Sequence, residues 1–113
     1  MVYQGTIPFG APSQFRLQMA VDQEGVAYLT ILSPFNEPVG NLHQLRVAMS
    51  DLESAAHGGK AVAENSKARC SLQPGHDETV EVAYEDPENF RKSISLVKKA
   101  DLQELIASMP TTA

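Results

Sequence analysis

The chain has 113 residues, of which 42% are hydrophobic and 20% are charged. This length fits a single domain with one hydrophobic core, and the composition excludes a disordered chain, a fibrous repeat and a small disulfide-dependent fold. Nine Lys and Arg against fourteen Asp and Glu give a formal net charge of −5. Such a balance argues against a protein whose overall basic surface binds nucleic acid.

Cysteine usage and the N-terminal segment predict the compartment. Cys70 is the single cysteine, so no disulfide can form within the chain and a reducing environment is expected. The first residues lack the positive charge and apolar run of a signal peptide, and no apolar stretch is long enough to span a bilayer. We therefore expect a cytoplasmic protein with no membrane partner.

The first half of the chain begins with strand patterns. An extended segment at 2–9 precedes residues 14–22, in which apolar and polar side chains alternate as in a half-buried strand. After a hairpin turn, residues 26–32 are apolar on both faces, which is typical of a central strand covered on both sides. A Pro-rich connection follows at 33–40, where strand pairing is not expected.

A third strand and a short helix complete this half. The strand is predicted to end near Met49, and Ser50 is predicted to begin the helix, because Ser50 and Glu53 have the spacing of a capping box. Gly58 is placed to end the helix, since glycine adopts the left-handed C-terminal conformation without strain.

The second half repeats this order of elements. Alternating patterns predict strands at 68–72 and 79–84, separated by a Pro-Gly turn. A third strand is predicted at 92–97, with Ile94 and Leu96 facing the core. The last helix has the apolar spacing of an amphipathic helix, formed by Leu102, Leu105, Ile106 and Met109.

These elements predict an α+β fold: an antiparallel sheet with helices on one face. The order further suggests a tandem βββα–βββα pseudo-repeat, with half-repeats 14–59 and 66–109 in a single domain spanning 1–113. Two short helices cannot cover six strands, so another element must cover the second face of the sheet. We expect a second copy of the chain, forming a homodimer; coverage by the loop at 33–40 is the alternative.

The sequence contains no pattern of residues that defines a catalytic, metal or cofactor site. Cys70 lies near His76 and Asp77, but its place on an apolar strand face is typical of a buried structural cysteine. His43, His57 and His76 lack the spacing of metal ligands. We therefore expect no enzyme activity, no bound metal and no cofactor.

Two segments are candidates for contact with a partner protein. The loop at 33–40 holds an aromatic side chain between two prolines, which suits insertion into a groove, although Phe35 could equally fold back onto the sheet. An acidic stretch offers an electrostatic surface. The candidate contact residues are Phe35, Glu37, Val39, Glu81, Glu85 and Glu88. The predicted function is a small acidic, non-enzymatic and self-associating protein that acts through protein–protein contacts, such as an adaptor or an immunity- or phage-type inhibitor.

The alternative function is binding of single-stranded nucleic acid by a sheet face. Such a site combines exposed aromatic side chains with nearby cations. The candidate aromatic residues are Tyr3, Phe9, Phe35 and Phe90, and the candidate cations are Arg91, Lys92, Lys98 and Lys99. The negative net charge disfavours this alternative.

Overall fold

The computed structural model describes residues 3–11 and 13–109. These residues form eight strands and two α-helices, and a 3₁₀ turn at Pro87–Asn89 precedes the last strand. In chain order the elements are β1 (Tyr3–Pro8), β2 (Arg16–Val21), β3 (Val26–Leu32), β4 (Leu45–Ala48), α1 (Met49–Ala56), β5 (Ala61–Glu64), β6 (Arg69–Pro74), β7 (Thr79–Asp86), β8 (Arg91–Lys98) and α2 (Lys99–Ala107).

The strands form one antiparallel sheet in which each strand pairs with the next along the chain. β4 and β5 are joined narrowly, with Arg46 opposite Glu64 as their pair. The sheet curls into a nearly closed barrel: after β1, the Gly10 N–H donates to the Leu96 carbonyl of β8 at 2.7 Å. Because the strands run up and down in turn, the connections β1–β2, β3–β4, β5–β6 and β7–β8 share one end, here called the loop end.

One continuous core lies against the inward strand faces and both helices. Leu17 and Met19 of β2, Leu52 of α1 and Leu102 of α2 are all fully buried members of the same cluster. The helices also contact each other, and the Gln103 side-chain amide donates to a carbonyl near the end of α1 at 2.8 Å. The apolar stripe predicted for the last helix is confirmed by this packing.

β3 is buried on both faces within a single chain. Thr30 and Leu32, which alternate with the inward residues, are buried as well. The connection to β4 lies beside β3: the Ile31 N–H donates to the Leu42 carbonyl at 3.0 Å, and the Val39 N–H donates to the Ile31 carbonyl at 2.9 Å. The central position predicted for residues 26–32 is thus confirmed, and covering this strand does not require a second copy of the chain.

Two sequence-based expectations need correction. Each half of the chain has four strands before its helix rather than three, because the segment before β2 pairs as β1 and β5 was missed. The capping box at Ser50 and Glu53 is wrong, since α1 begins at Met49, directly after Ala48, and no side chain caps it. Ser50 therefore lies inside the first turn of the helix.

Candidate interaction surface

β8 has an inverted burial pattern. Ile94 and Leu96 point outward and are 63% and 41% exposed, whereas Ser95 and Val97 point inward and are buried. The expectation that Ile94 and Leu96 face the core is therefore wrong. Inside the barrel, the Ser95 hydroxyl lies 3.5 Å from the Tyr84 hydroxyl, which gives the inward serine a polar partner. β8 thus buries a serine and exposes two large aliphatic side chains.

Phe90 extends this apolar surface toward the loop end. Its side chain is 97% exposed, and its φ of 52° lies in the left-handed region, which is unfavourable for a bulky residue. It closes the turn before β8, where the Phe90 N–H donates to the Pro87 carbonyl at 3.1 Å. Backbone strain of this kind is concentrated at functional sites. Phe90, Ile94 and Leu96 are called the β8 patch below.

Buried Asp86 anchors the turn at 87–90. Asn41 donates to its carboxylate through the backbone N–H at 2.8 Å and through Nδ2 at 3.0 Å, and Asn89 Nδ2 donates at 2.7 Å. Burial by itself raises the pKa of Asp86, but these hydrogen bonds outweigh burial and hold the pKa below its ordinary value. The charged carboxylate therefore ties the connection at 33–44 to the turn before β8.

Two further residues tighten the loop end. Gly40 has a φ of 57°, and a Cβ atom at this position would collide with the Asp86 carboxylate and lie 2.8 Å from the side-chain nitrogen of Asn89. Asn65, which follows β5, donates through Nδ2 to the Asn41 carbonyl at 2.9 Å. Hydrogen bonds thus hold three of the connections between strands together. They fix the position of the turn at the start of β8.

The Pro-rich loop presents Phe35 to solvent. The Ser33 hydroxyl accepts hydrogen bonds from the Phe35 N–H at 3.2 Å and the Glu37 N–H at 3.4 Å, and Phe35 is 83% exposed. Phe35 therefore does not fold back onto the sheet, and Glu37 is also exposed. Val39 is 7% exposed and packs in the core. Its inclusion among the contact residues is corrected, because its side chain cannot reach a partner.

The acidic contact residues predicted from the sequence do not form one acidic patch. They lie on β7 and in the turn that follows it: Glu81, Glu85 and Glu88. Glu85 stands between Arg69 of β6 and Lys92 of β8 in the strand register, and a carboxylate oxygen of Glu88 lies 3.6 Å from the Lys67 ammonium. Charges of both signs therefore alternate across this face.

The structure also separates the four predicted nucleic-acid-binding cations. They are Arg91, Lys92, Lys98 and Lys99. Lys92 and Lys98 are exposed near opposite ends of β8, roughly 20 Å apart at the usual rise per residue of a strand. Arg91 is half-buried, with its guanidinium carbon 5.8 Å from the Phe15 ring centre, and the Lys99 ammonium lies 4.0 Å from Glu78. Lys92 and Lys98 therefore share one face of β8 but stand at its opposite ends, and the four cations do not form one cluster.

The aromatic residues of that alternative are likewise divided. Phe9 is buried and stacks on Tyr84 with ring centres 6.1 Å apart, so its predicted exposure is wrong. Phe35 and Phe90 are exposed, but they lie on different connections. The side chain of Tyr3 lies outside the described residues. The exposed aromatic side chains therefore do not line a continuous sheet face.

A groove follows the free edge of β8. It has a volume of about 370 Å³ and is lined by residues 10 and 13–15 on one side and residues 93–96 on the other. A second depression of about 180 Å³ lies beside Ile94 and is lined in part by the small side chains of Ser71 and Ala83. Ile94 therefore borders two depressions, one at the edge of the sheet and one toward its neighbouring strands.

The apolar surface at Ile94 continues across the outside of the sheet. Val62, Ser71, Ala83 and Ile94 stand opposite one another in the registers of β5 to β8. Val62 is 49% exposed at the far end of this row, and Ser71 and Ala83 are half-buried. Next to Ile94, Ser71 and Ala83 form a shallow floor for larger side chains of a partner, whereas Val62 lies three strands away from β8 and outside this floor.

Cys70, the cysteine considered for catalysis, is buried in the core. Burial raises the pKa of the Cys70 thiol to about 12, so the thiol remains protonated at neutral pH. Within residues 3–11 and 13–109, no three or more His, Cys, Asp or Glu side chains are grouped so that they could hold a metal ion. The helices in the same ranges are too short and too polar to cross a membrane.

Comparison with known proteins leaves the function to be inferred from the surface. The sequence matches no protein-family model, and neither a curated protein nor a solved structure is significantly similar to the chain.

Sequence reasoning named Phe90 as a candidate exposed aromatic of the nucleic-acid alternative, and its exposure is confirmed, but the β8 patch as a whole was not predicted. The alternation at 92–97 separated the two strand faces correctly, but the apolar side chains were assigned to the interior. The turn predicted at 86–89 was a sequence signal for part of this surface, because it places Phe90 directly after a tight connection. Only the fold shows that Phe90, Ile94 and Leu96 all remain exposed.

Proposed function

We propose that this protein is a non-enzymatic binding protein that contacts another protein through the β8 patch. The observation that carries the proposal is the exposure of Ile94 and Leu96 on the edge strand β8 and of Phe90 in the turn directly before it. An exposed apolar edge strand can pair with a strand of another molecule, and proteins usually prevent this with charged side chains, prolines or bulges at the edge. Retaining two large apolar side chains on the edge and a third in the turn beside it is expected of a binding surface, as in an adaptor or an immunity- or phage-type inhibitor.

Two lysines border the apolar side chains. Lys92 and Lys98 lie on the same face of β8 as Ile94 and Leu96 and are exposed. They oppose edge-to-edge aggregation of free molecules, because lysines on an edge repel each other when two edges meet. They also favour a partner that carries carboxylates around an apolar centre. The β8 patch therefore combines an attractive centre with a charged border.

We further propose that the domain is a ββββα–ββββα pseudo-repeat whose helices cover the same face of the sheet. Each half consists of four strands followed by one helix. Leu52 of α1 and Leu105 of α2 belong to the same buried cluster as the inward side chains of the strands. This arrangement leaves the outward face of β8 free for a partner.

The proposal can be tested by selecting ligands without assuming their sequence. Random linear peptides of about ten residues, long enough to follow one strand, are displayed and selected on the immobilised wild-type protein. We expect the enriched peptides to lose at least about tenfold in affinity for a variant carrying Ile94→Ser and Leu96→Ser, because truncation removes the apolar contacts.

Two further variants make the test specific. Val62→Ser removes an exposed aliphatic side chain of similar accessibility on another strand and should leave peptide affinity unchanged. Phe35→Ser shows whether the Pro-rich loop participates. The proposal is refuted if no peptide is enriched, or if the enriched peptides bind the Ile94→Ser, Leu96→Ser variant as tightly as they bind the wild type.

A further inference from the structure

The free edge of β8 exposes backbone groups as well as side chains. The Leu96 carbonyl accepts a hydrogen bond from Gly10 at 2.7 Å, outside the ladder with β7. In an antiparallel pair, successive residues direct their N–H and C=O groups alternately toward and away from the partner strand. Lys92 and Ile94 have the same parity as Leu96, so their N–H and C=O groups also point away from β7.

Most of this edge is unoccupied in the described part of the chain. Gly10 covers the edge only at Leu96, and no other backbone hydrogen bond among residues 3–11 and 13–109 reaches the outward groups of Lys92 or Ile94. The groove of about 370 Å³ lies along this stretch. The opposite edge of the sheet, β1, is packed against α2. An additional strand can therefore pair with the sheet along residues 91–95 of β8.

We infer that β8 binds an extended segment of a partner protein, which pairs with residues 91–95 as an additional strand. This inference rests on the proposed function and specifies the binding mode. Backbone hydrogen bonds to Lys92 and Ile94 supply register, while alternate side chains of the segment contact Ile94 and Leu96. The segment is apolar at these alternate positions and carries a carboxylate beside them.

Positive charge near the start of β8 indicates where the partner segment carries its carboxylate. Lys92 is exposed there and lies on the same face of β8 as Ile94 and Leu96. Arg91 alternates with Lys92 along the strand, and its half-buried guanidinium packs on the Phe15 ring, so it does not contribute to this charged surface. An Asp or Glu side chain of the bound strand that points to this face opposes the Lys92 charge.

A second copy of this chain fits the groove less well than a separate extended segment. Residues 13–15 line the groove opposite β8, and a second copy would bring its own residues 13–15 along with its β8. In a pairing centred on Lys92, two lysines would also stand directly opposite each other, which is unfavourable. A single strand with free edges on both sides meets neither obstacle.

The peptides selected on the wild-type protein provide the probe. Each backbone nitrogen of one selected peptide is methylated in turn. Because only alternate N–H groups of a paired strand face β8, we expect affinity to fall at least about tenfold at every second position and to change less than about twofold at the positions between. Loss of affinity at scattered positions, or uniform tolerance, overturns strand pairing.

A matched pair of variants tests the same contact from the protein side. Lys92→Ala removes the charge and keeps the backbone N–H, whereas Lys92→Pro removes both without breaking the ladder to β7. We expect Lys92→Pro to bind at least about fivefold more weakly than Lys92→Ala. If the two variants bind alike, the edge is not used. The methylated peptides still decide the matter if Lys92→Pro does not fold.

The partner chemistry is tested by charge exchange. Lys92→Glu should weaken binding of an acidic peptide and should bind better to the same peptide with lysine in place of its carboxylate. If peptides lose affinity for the Ile94→Ser, Leu96→Ser variant but tolerate every methylation, the proposed function stands and strand pairing fails. A wild-type dimer in light scattering that Lys92→Pro dissociates would assign the edge to a second copy and overturn this inference.

Discussion

Replacement of Phe90 by glycine should stabilise the fold while weakening partner binding. Phe90 has a φ of 52° and is 97% exposed, so the native structure accepts an unfavourable backbone conformation without burying the ring. A non-glycine residue in the left-handed region costs about 1–2 kcal/mol. Removal of an almost fully exposed ring loses little hydrophobic burial.

The net gain is smaller than the strain itself. Glycine also increases the conformational entropy of the unfolded chain, and this offsets about 0.5–1 kcal/mol of the strain energy that the substitution relieves. We therefore expect Phe90→Gly to raise the free energy of unfolding by about 0.5–1 kcal/mol and the melting temperature by about 2–5 °C. Urea titration and thermal melting followed by circular dichroism measure these changes, and affinity for the selected peptides should fall in the same variant.

Phe35→Gly provides the matched control. Phe35 is also a highly exposed phenylalanine in a turn, but it is not among the residues with positive φ. Its replacement by glycine relieves no strain and should destabilise the protein by about 0.5–1 kcal/mol. If Phe90→Gly destabilises the protein as much as Phe35→Gly, the Phe90 ring contributes to folding and the strain argument fails.

Three further predictions concern the loop end and the core. Asp86, whose pKa is lowered from 3.8 by hydrogen bonds, stabilises the fold above pH 3.8, and this contribution is lost as the pH falls through the lowered value; Asp86→Asn should flatten the acid limb of stability measured by urea titration. Gly40→Ala should destabilise the fold by about 1–2 kcal/mol from the positive φ alone, measured in the same way. Cys70 should react with iodoacetamide only as fast as the protein unfolds, because the thiol is buried and its pKa is about 12; rapid labelling of folded protein would contradict this.

Local patterns predicted most strands and the last helix, but not the features that depend on neighbouring elements. Alternation at 14–22 identified β2 because Leu17 and Met19 face a single core. β5 was missed because its four residues at 61–64 are too few and too weakly apolar to show a period. Ser50 and Glu53 had the right spacing for a cap, but β4 leads directly into α1, so the helix begins before Ser50.

The candidate site was predicted least well because its residues break the burial rule on which prediction depends. At residues 92–97 the sequence alternates serine with Ile94 and Leu96, and a pattern of this kind normally places the apolar set inside. The fold fixes the opposite register from both ends of β8. Arg91 pairs with Asp86 after the tight turn, and the Lys99 N–H donates to the Glu78 carbonyl at 2.9 Å.

This register gives up hydrophobic burial for an exposed surface. A shift by one residue would bury Ile94 and Leu96 and expose Ser95 and Val97, so hydrophobicity alone favours the shifted strand. Local rules of this kind are broken mainly at functional sites. If the surface serves binding, the paired substitutions Ile94→Ser and Leu96→Ser should change the free energy of unfolding by less than about 1 kcal/mol, measured by urea titration. A loss of more than about 2 kcal/mol is the result expected of core side chains, and it would show that the two residues support folding rather than binding.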